Sequence, residues 1–312
     1  MAGKVVVVGS LSMDLVVQTA RRPEKGETII GTGFGMFAGG KGNNQAMAAA
    51  RAQAQVSMIG RVGDDSFGET LLATLHREKV DISGMIKDTQ AATGIAHITV
   101  DSNGDNYIVI AQQSNANLCA ADVENYAHLI EDCDVLLMQL EVPFEPLCAA
   151  AALARKKGAT VILNPAPAPI GKKIPVELLK NVDIIIPNQP EAHQLSGIDA
   201  STVEGAQKAA AFFETLGIAT SIVTLGEDGA LVCHKGSSDH IKSFKVNSID
   251  STAAGDAFCG AFAASLARGE QLLSAVRTGC AAGALATTKL GAEPSLPHHR
   301  DIEKLLEPVT HS

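Results

Sequence analysis

Asp256 closes the run Asp250-Ser251-Thr252-Ala253-Ala254-Gly255-Asp256 and opens an apolar stretch, Ala257-Phe258-Cys259-Gly260-Ala261-Phe262. Small residues at 253–255 let the backbone pass close to a ligand. Asp is favoured where a helix begins. Free N–H groups at such a start, with the positive end of the helix dipole, attract anions. One turn therefore offers an oxyanion cradle and a carboxylate. That pair suits phosphoryl transfer: amides hold phosphoryl oxygens while Asp256 takes a proton from an attacking hydroxyl. An Asp at a helix start is more often only a cap, so this chemistry requires a second site that holds an alcohol.

A second constellation lies near the other end of the chain. Gly39-Gly40-Lys41-Gly42-Asn43-Asn44-Gln45 leads into the Ala-rich stretch Ala46–Ala54, whose composition predicts a helix. Gly35 through Lys41 fits the first seven positions of a P-loop, but Gly42 stands where Ser or Thr should hold magnesium. The run also follows a strand candidate outside the main alternation, so the P-loop reading is rejected. A dinucleotide fold is rejected too, because Gly9-Ser10-Leu11-Ser12-Met13-Asp14 lacks the required glycine spacing.

The elements that must position these residues follow from hydrophobic pattern. Val5–Val8 reads as a buried parallel strand ending at Gly9-Ser10. Further strands are predicted at 56–59, 135–140, 160–163, 183–186, 221–225 and 230–233. Helices are predicted at 66–79, 121–130, 145–157, 201–216, 256–268, 271–289 and 300–306. This alternation predicts an α/β fold with a doubly wound, mostly parallel sheet flanked by helices, forming a single domain over 1–312. Short strands at 14–18 and 27–31, and again at 96–100 and 107–110 around the Asn103-Gly104 turn, predict a small separate sheet. It reads as a lid built from insertions at about 12–38 and 94–112. Ligands of doubly wound sheets bind beyond the C-terminal strand ends. Polar residues stand there: Asp14, Glu141, Asn164, Asn188, Glu191 and Thr224, with Gly226 close by.

Composition narrows the classes. The 312 residues are 46% apolar and 19% charged, which suits a packed core rather than disorder. Aromatics are 4% with no Trp, and the net charge is −9, so no nucleic-acid partner is expected. Six scattered cysteines without a Cys-x-x-Cys pair read as reduced, mostly buried thiols of a cytoplasmic protein. The N-terminus runs straight into a strand without a signal peptide, and no apolar run is long enough for a membrane span. His298-His299 reads as a surface loop and the basic clusters at 155–157 and 172–173 as solvated ends.

Gly39-Gly40-Lys41-Gly42-Asn43-Asn44-Gln45-Ala46 and Asp250-Ser251-Thr252-Ala253-Ala254-Gly255-Asp256-Ala257-Phe258 together resemble the ribokinase family of the ribokinase-like (PfkB) sugar kinases, over nearly the whole chain. The resemblance implies ATP-dependent transfer of the γ-phosphate to a primary hydroxyl (O5) of a pentose, ribose first, with deoxyribose or another small sugar next. It implies Asp256 as base and Ala253, Ala254 and Gly255 as the anion hole. Sugar contacts would be Ser12, Asp14, Gly40, Lys41, Asn44, Glu141 and Asp256. Asn188, Thr224, Gly226 and Gly255 would bind ATP, and Glu191 would place Mg2+ through water. K+ would lie at Asp250, Thr252, Ala286, Lys289, Gly291 and Ser295, several through backbone carbonyls. Adenine is expected near 279–283, without an assigned residue. A homodimer through the lid is implied as well. Ser12 departs from the usual Asn, and Gln112-Gln113-Ser114-Asn115 from a small-residue run. Both departures bear on which sugar binds. A nucleoside kinase of the same fold and a catalytically silent sugar-binding regulator are the alternatives.

Overall fold

The β-branched run at the N-terminus forms the middle of the main sheet, and the rest of the chain is wound outward from it. The computed structural model describes residues 2–307. In chain order the strands are β1 (Lys4–Val8), β2 (Ser12–Gln18), β3 (Gly33–Gly39), β4 (Gln55–Gly63), β5 (Asp81–Asp88), β6 (Gly94–Val100), β7 (Asn106–Ala111), β8 (Val135–Met138), β9 (Thr160–Leu163), β10 (Ile184–Ile185), β11 (Thr220–Thr224), β12 (Ala230–His234) and β13 (Ser237–Ile241). The helices are α1 (Lys41–Arg51), α2 (Ser66–Arg77), α3 (Ala120–Asn125), α4 (Ala127–Glu131), α5 (Phe144–Lys157), α6 (Val176–Leu179), α7 (Gln189–Ser196), α8 (Val203–Thr215), α9 (Ala254–Ala267), α10 (Leu272–Ala286) and α11 (His299–Leu306).

Nine strands form the main sheet in the order β13-β12-β11-β10-β9-β8-β1-β4-β5, antiparallel only where β12 meets β11 and β13. Side chains alternate between faces along a strand. Val5 and Val7 therefore join one core, with α1, α2, α9 and α10, while Val6 and Val8 join the other, with α5 and α8. Both faces are covered, which is why β1 is uniformly apolar. The strand order reverses at β1, which lies between β4 and β8. A crevice opens beyond the strand ends at such a switch point.

The second sheet has four strands in the order β3-β2-β6-β7. It is the small separate sheet expected from the sequence, with one correction. The strand predicted at 27–31 is exposed loop, and Ile30 is 92% exposed. The strand lies at Gly33–Gly39, where β2 pairs with it from Ser12↔Gly39 to Gln18↔Gly33. Three glycines weaken the local strand signal of that segment, and cross-strand pairing overrides it. The predicted helix at 121–130 breaks at Tyr126, where φ is −113°. The helix expected from Ala46 begins at Lys41. The strand expected to reach Leu140 ends at Met138, freeing Gln139 and Glu141 to leave the sheet. The edge strands β5 and β13 were not expected. His298 and His299 sit at the start of α11 rather than in a loop.

Helix α9 is buried from Asp256 through Ser265, as a helix apolar on every face should be. It packs on α10 and on α1. Gly260 makes the second contact possible: a Cβ there would lie 2.5 Å from Ala48 Cβ and 2.6 Å from Gln45 O. The close approach brings the N-terminal ends of α1 and α9 together. The six cysteines are free thiols; Cys259 and Cys280 are buried and the other four half-buried, so the expectation of mostly buried thiols is corrected to two of six. Among the described residues no helix is long and apolar enough to cross a membrane.

Candidate active site

Successive strands deliver polar residues to one edge: β1 leads to Ser10, β8 to Gln139 and Glu141, β9 to Asn164, and β10 to Asn188. Helix α1 begins over this edge. Gly40 has φ 91°, and a Cβ there would fall 2.8 Å from Leu11 Cα and from Ser12 N, so the turn requires glycine. The Lys41 N–H, the first of the helix, donates to Glu141 Oε2 at 3.0 Å, and Ser10 Oγ donates to the same oxygen at 2.5 Å. Glu141 thus occupies the positive end of α1. It does not cap the helix that follows it, since α5 starts at Phe144. Asn115 braces the wall by bonding both the N–H and the carbonyl of Leu11, at 3.0 and 2.6 Å.

Ser12 and Asp14 project from β2. Ser12 Oγ donates to Asp14 Oδ1 at 3.2 Å. Burial pushes the Asp14 carboxyl up to about 7; the Ser12 hydrogen bond and Lys41 oppose this, while the charges of Glu141 and Asp256 add to it. Burial works against the Lys41 ammonium, yet Asp256, Glu141 and Glu191 together hold it above the ordinary lysine value. Three carboxylates therefore act on one cation through space.

Asp256 is the third residue of α9 and is 6% exposed. Its Oδ2 accepts from Asn44 Nδ2 at 3.0 Å and its Oδ1 from Gln45 Nε2 at 2.9 Å. The helix is capped instead by Ala253, in the left-handed region at φ 59° and without a side-chain cap bond. Asp256 is therefore not a cap; its carboxylate is turned to α1. In the turn before it, the Ala254 N–H is engaged by Ser251 O at 3.2 Å, and the N–H groups of Gly255 and Asp256 take no partner among the described residues. Two open amides lie beside the carboxylate.

Asn188 and Glu191 form a capping box on α7: Glu191 N–H donates to Asn188 Oδ1 at 2.7 Å and Asn188 N–H to Glu191 Oε2 at 2.9 Å. Burial raises the Glu191 carboxyl, with Asp256 adding and Lys41 opposing. Asn188 pairs with Thr224 as an isolated parallel bridge, and Gly226 follows with φ 61°. Gly279 and Gly283 face Phe258 and Ala254 of α9, so they serve close helix packing. Asp250 Oδ1 accepts from the Thr252 N–H and hydroxyl at 2.9 and 2.6 Å, and its Oδ2 from the Gly291 N–H at 2.8 Å. Burial opposes the Asp250 charge, but these donors hold its carboxyl below the usual range. Ser295 is buried and Lys289 is exposed.

The structure brings Asp14, Lys41, Asn44, Glu141 and Asp256 to one place, and Asp250, Thr252 and Gly291 to another beside the same turn. Sequence reasoning missed Gln45, Gln139 and Ser10 as members of the site, and left Asn164 unassigned. Gln139 Nε2 donates to Gln45 Oε1 at 2.7 Å, and Gln45 Nε2 also donates to Asn164 Oδ1 at 3.0 Å. The available signal was polar residues just past apolar strands and one step beyond Asn44. Asn44 Oδ1 is buried and unpartnered.

A doubly wound sheet with a carboxylate at a helix start that has open amides, facing a cluster of polar side chains, suits a phosphotransferase of small alcohols. The chain belongs to the pfkB family of carbohydrate kinases, whose model matches residues 2–299. It is 40% identical over 301 residues to a ribokinase of Haemophilus influenzae, covering 96% of this chain and 97% of that protein. It is 32% identical over 293 residues to a deoxyribokinase of Salmonella typhi, covering 94% and 95%. A ribokinase from Arabidopsis thaliana, solved with ribose and ATP, superposes with a TM-score of 0.91 at 30% identity, covering 99% of this chain and all of that one.

Proposed function

We propose that this carbohydrate kinase transfers the γ-phosphate of ATP to the O5 hydroxyl of D-ribose, giving ribose 5-phosphate. The observation that carries the reading is the Asp256 carboxylate, fixed by Asn44 and Gln45 and flanked by the open amides of Gly255 and Asp256. Asp256 accepts the proton of the attacking hydroxyl. The amides, with Ala253 and Ala254 shaping the turn, stabilise charge on the transferring group. Ser12, Asp14, Gly40, Lys41, Asn44 and Glu141 bind the sugar: the carboxylates accept hydroxyl protons, and the buried, unpartnered Asn44 Oδ1 takes another. The ribokinases among the relatives support ribose.

Asn188, Thr224, Gly226 and Gly255 line the nucleotide side. Glu191 suits Mg2+ held through water, because Oε1 is left over from the capping box. When bound there, Mg2+ would neutralise phosphate charge. The Asp250 loop suits K+. Its carboxylate is kept ionised, and the backbone carbonyls of Thr252, Ala286, Lys289, Gly291 and Ser295 accept no hydrogen bond from the described residues. Oxygen-only donors fit a hard cation. The second sheet closes over the sugar as a lid. It also exposes Phe34, Met36 and Val109 on one face, which supports a homodimer through it. A cytoplasmic location fits six free thiols.

Deoxyribose is the second reading. Ser12, a short hydroxyl tied to Asp14, supports it, as does the deoxyribokinase relative. A panel of ribose, deoxyribose, other pentoses and nucleosides, assayed for ADP release with Mg2+ and with or without K+, tests the proposal. Ribose should give the highest kcat/KM. A preference for nucleosides, or single-turnover transfer to no sugar, overturns it. Light scattering that finds monomer at every concentration rejects the dimer.

A further inference from the structure

Gln45 touches Asp256, and its side chain is fully buried, with both ends of its carboxamide taken up by protein groups. It sits in a directed line of carboxamides. Gln139 Nε2 donates to Gln45 Oε1 at 2.7 Å, and Gln45 Nε2 donates to Asp256 Oδ1 at 2.9 Å. The same Nε2 donates to Asn164 Oδ1 at 3.0 Å, and Asn164 Nδ2 donates to Ile186 O at 2.8 Å. Three strand ends, those of β8, β9 and β10, and two helices are thereby tied to one carboxylate oxygen.

The direction of the line has a chemical origin. An ionised carboxylate only accepts hydrogen bonds. Gln45 must therefore turn its NH2 toward Asp256 and its carbonyl toward Gln139, which must answer with its own NH2. The consequence is visible at the far end: Gln139 Oε1 is buried without a partner, pressed against Gly9, where a Cβ would lie 2.1 Å away. A buried unpaired acceptor is unfavourable, and a network built for packing alone would not be oriented to leave one.

We propose that Gln45 is a positioning residue for phosphoryl transfer, with Gln139 as its anchor: it fixes the orientation of the Asp256 carboxylate and takes no part in sugar binding. The inference rests on Asp256 being the base. Asn44 restrains the other oxygen, Oδ2, so the two amides divide the carboxylate between them.

Gln45→Met keeps the side-chain length and removes the donor. Its kcat should fall by about 10²-fold, the scale of a slightly misplaced catalytic group, with KM for ribose unchanged. Gln45→Glu keeps the bond from Gln139 but sets a second carboxyl against Asp256. Neighbouring carboxyls share a proton, so the acid limb of its kcat/KM profile should move to higher pH, a change that a packing role would not produce. Should Gln45→Met fail to fold, the Gln45→Glu profile decides the matter. Asp256→Ala is assayed beside them. If it is inactive while Gln45→Met keeps wild-type kcat, or the Gln45→Glu profile overlays the wild type, the positioning role is wrong. If Asp256→Ala retains turnover, the base assignment fails, and the inference falls with it.

Discussion

Asn44 Nδ2 donates to Asp256 Oδ2 across 3.0 Å, although the two residues are 212 positions apart in the chain. One belongs to the start of α1, the other to the start of α9, beside its open amides. On the proposed reading, the bond sets the acceptor alcohol and the transferring group on either side of a single carboxylate.

That bond depends on two helices meeting closely, and Gly260 is the point of approach. A methyl group there would lie 2.5 Å from Ala48 Cβ and 2.8 Å from Ala49 N, neither of which can yield without moving α1. Gly260→Ala should destabilise the protein by about 1–3 kcal/mol, as overpacked cores do, and lower kcat by separating Asp256 from Asn44. Denaturant unfolding with steady-state kinetics checks both. Wild-type stability and turnover would mean that the contact is loose.

Asp14 gives the site a pH dependence. Its folded carboxyl titrates near 7 against 3.8 in the unfolded chain. Between those values the native state holds a proton that the unfolded state has released, so stability falls as pH rises through this window. Ionised Asp14 is the better acceptor of sugar hydroxyls, so KM for ribose should drop as pH rises through about 7. Asp14→Asn should abolish both the inflection in KM and the stability slope between pH 4 and 7. Melting curves and KM measured over that range test this.

Asp250 joins the turn before α9 to the loop at Gly291. Asp250→Ala removes three hydrogen bonds and the charge. On the proposed K+ assignment, it should abolish activation by the cation, and it should lower kcat even without the cation, because the turn bearing the Gly255 amide loses its anchor. Titrating KCl against rate, and against melting temperature as a binding readout, separates the two effects. Unchanged K+ activation would place the cation elsewhere.

Much of this was legible in the sequence because it is written in local pattern. Val5–Val8 announces a strand buried on both faces, and the Ala-rich run after Asp256 announces a buried helix. Asp256, Lys41 and Glu141 stand out as polar residues beside glycines or strand ends. What was hidden is set by pairing and packing. β3 is masked by its glycines until β2 fixes its register. β5 and β13 lie at the edges of the main sheet, where polar residues interrupt the alternation. Gln45 and Gln139 look like ordinary polar residues, and only their burial on opposite sides of one contact reveals the line leading to the carboxylate. That Asp256 is not a cap is likewise visible only in the folded chain, where Ala253 occupies that position.

Sugar-dependent ADP release by Asp256→Ala, compared with wild type at saturating ribose, ATP and Mg2+, is the most direct test. A positioned base contributes about 10²–10⁴ in rate, so turnover should fall by at least that range in a protein that still folds. Turnover within a few-fold of wild type in a folded Asp256→Ala protein would contradict the assignment of the base.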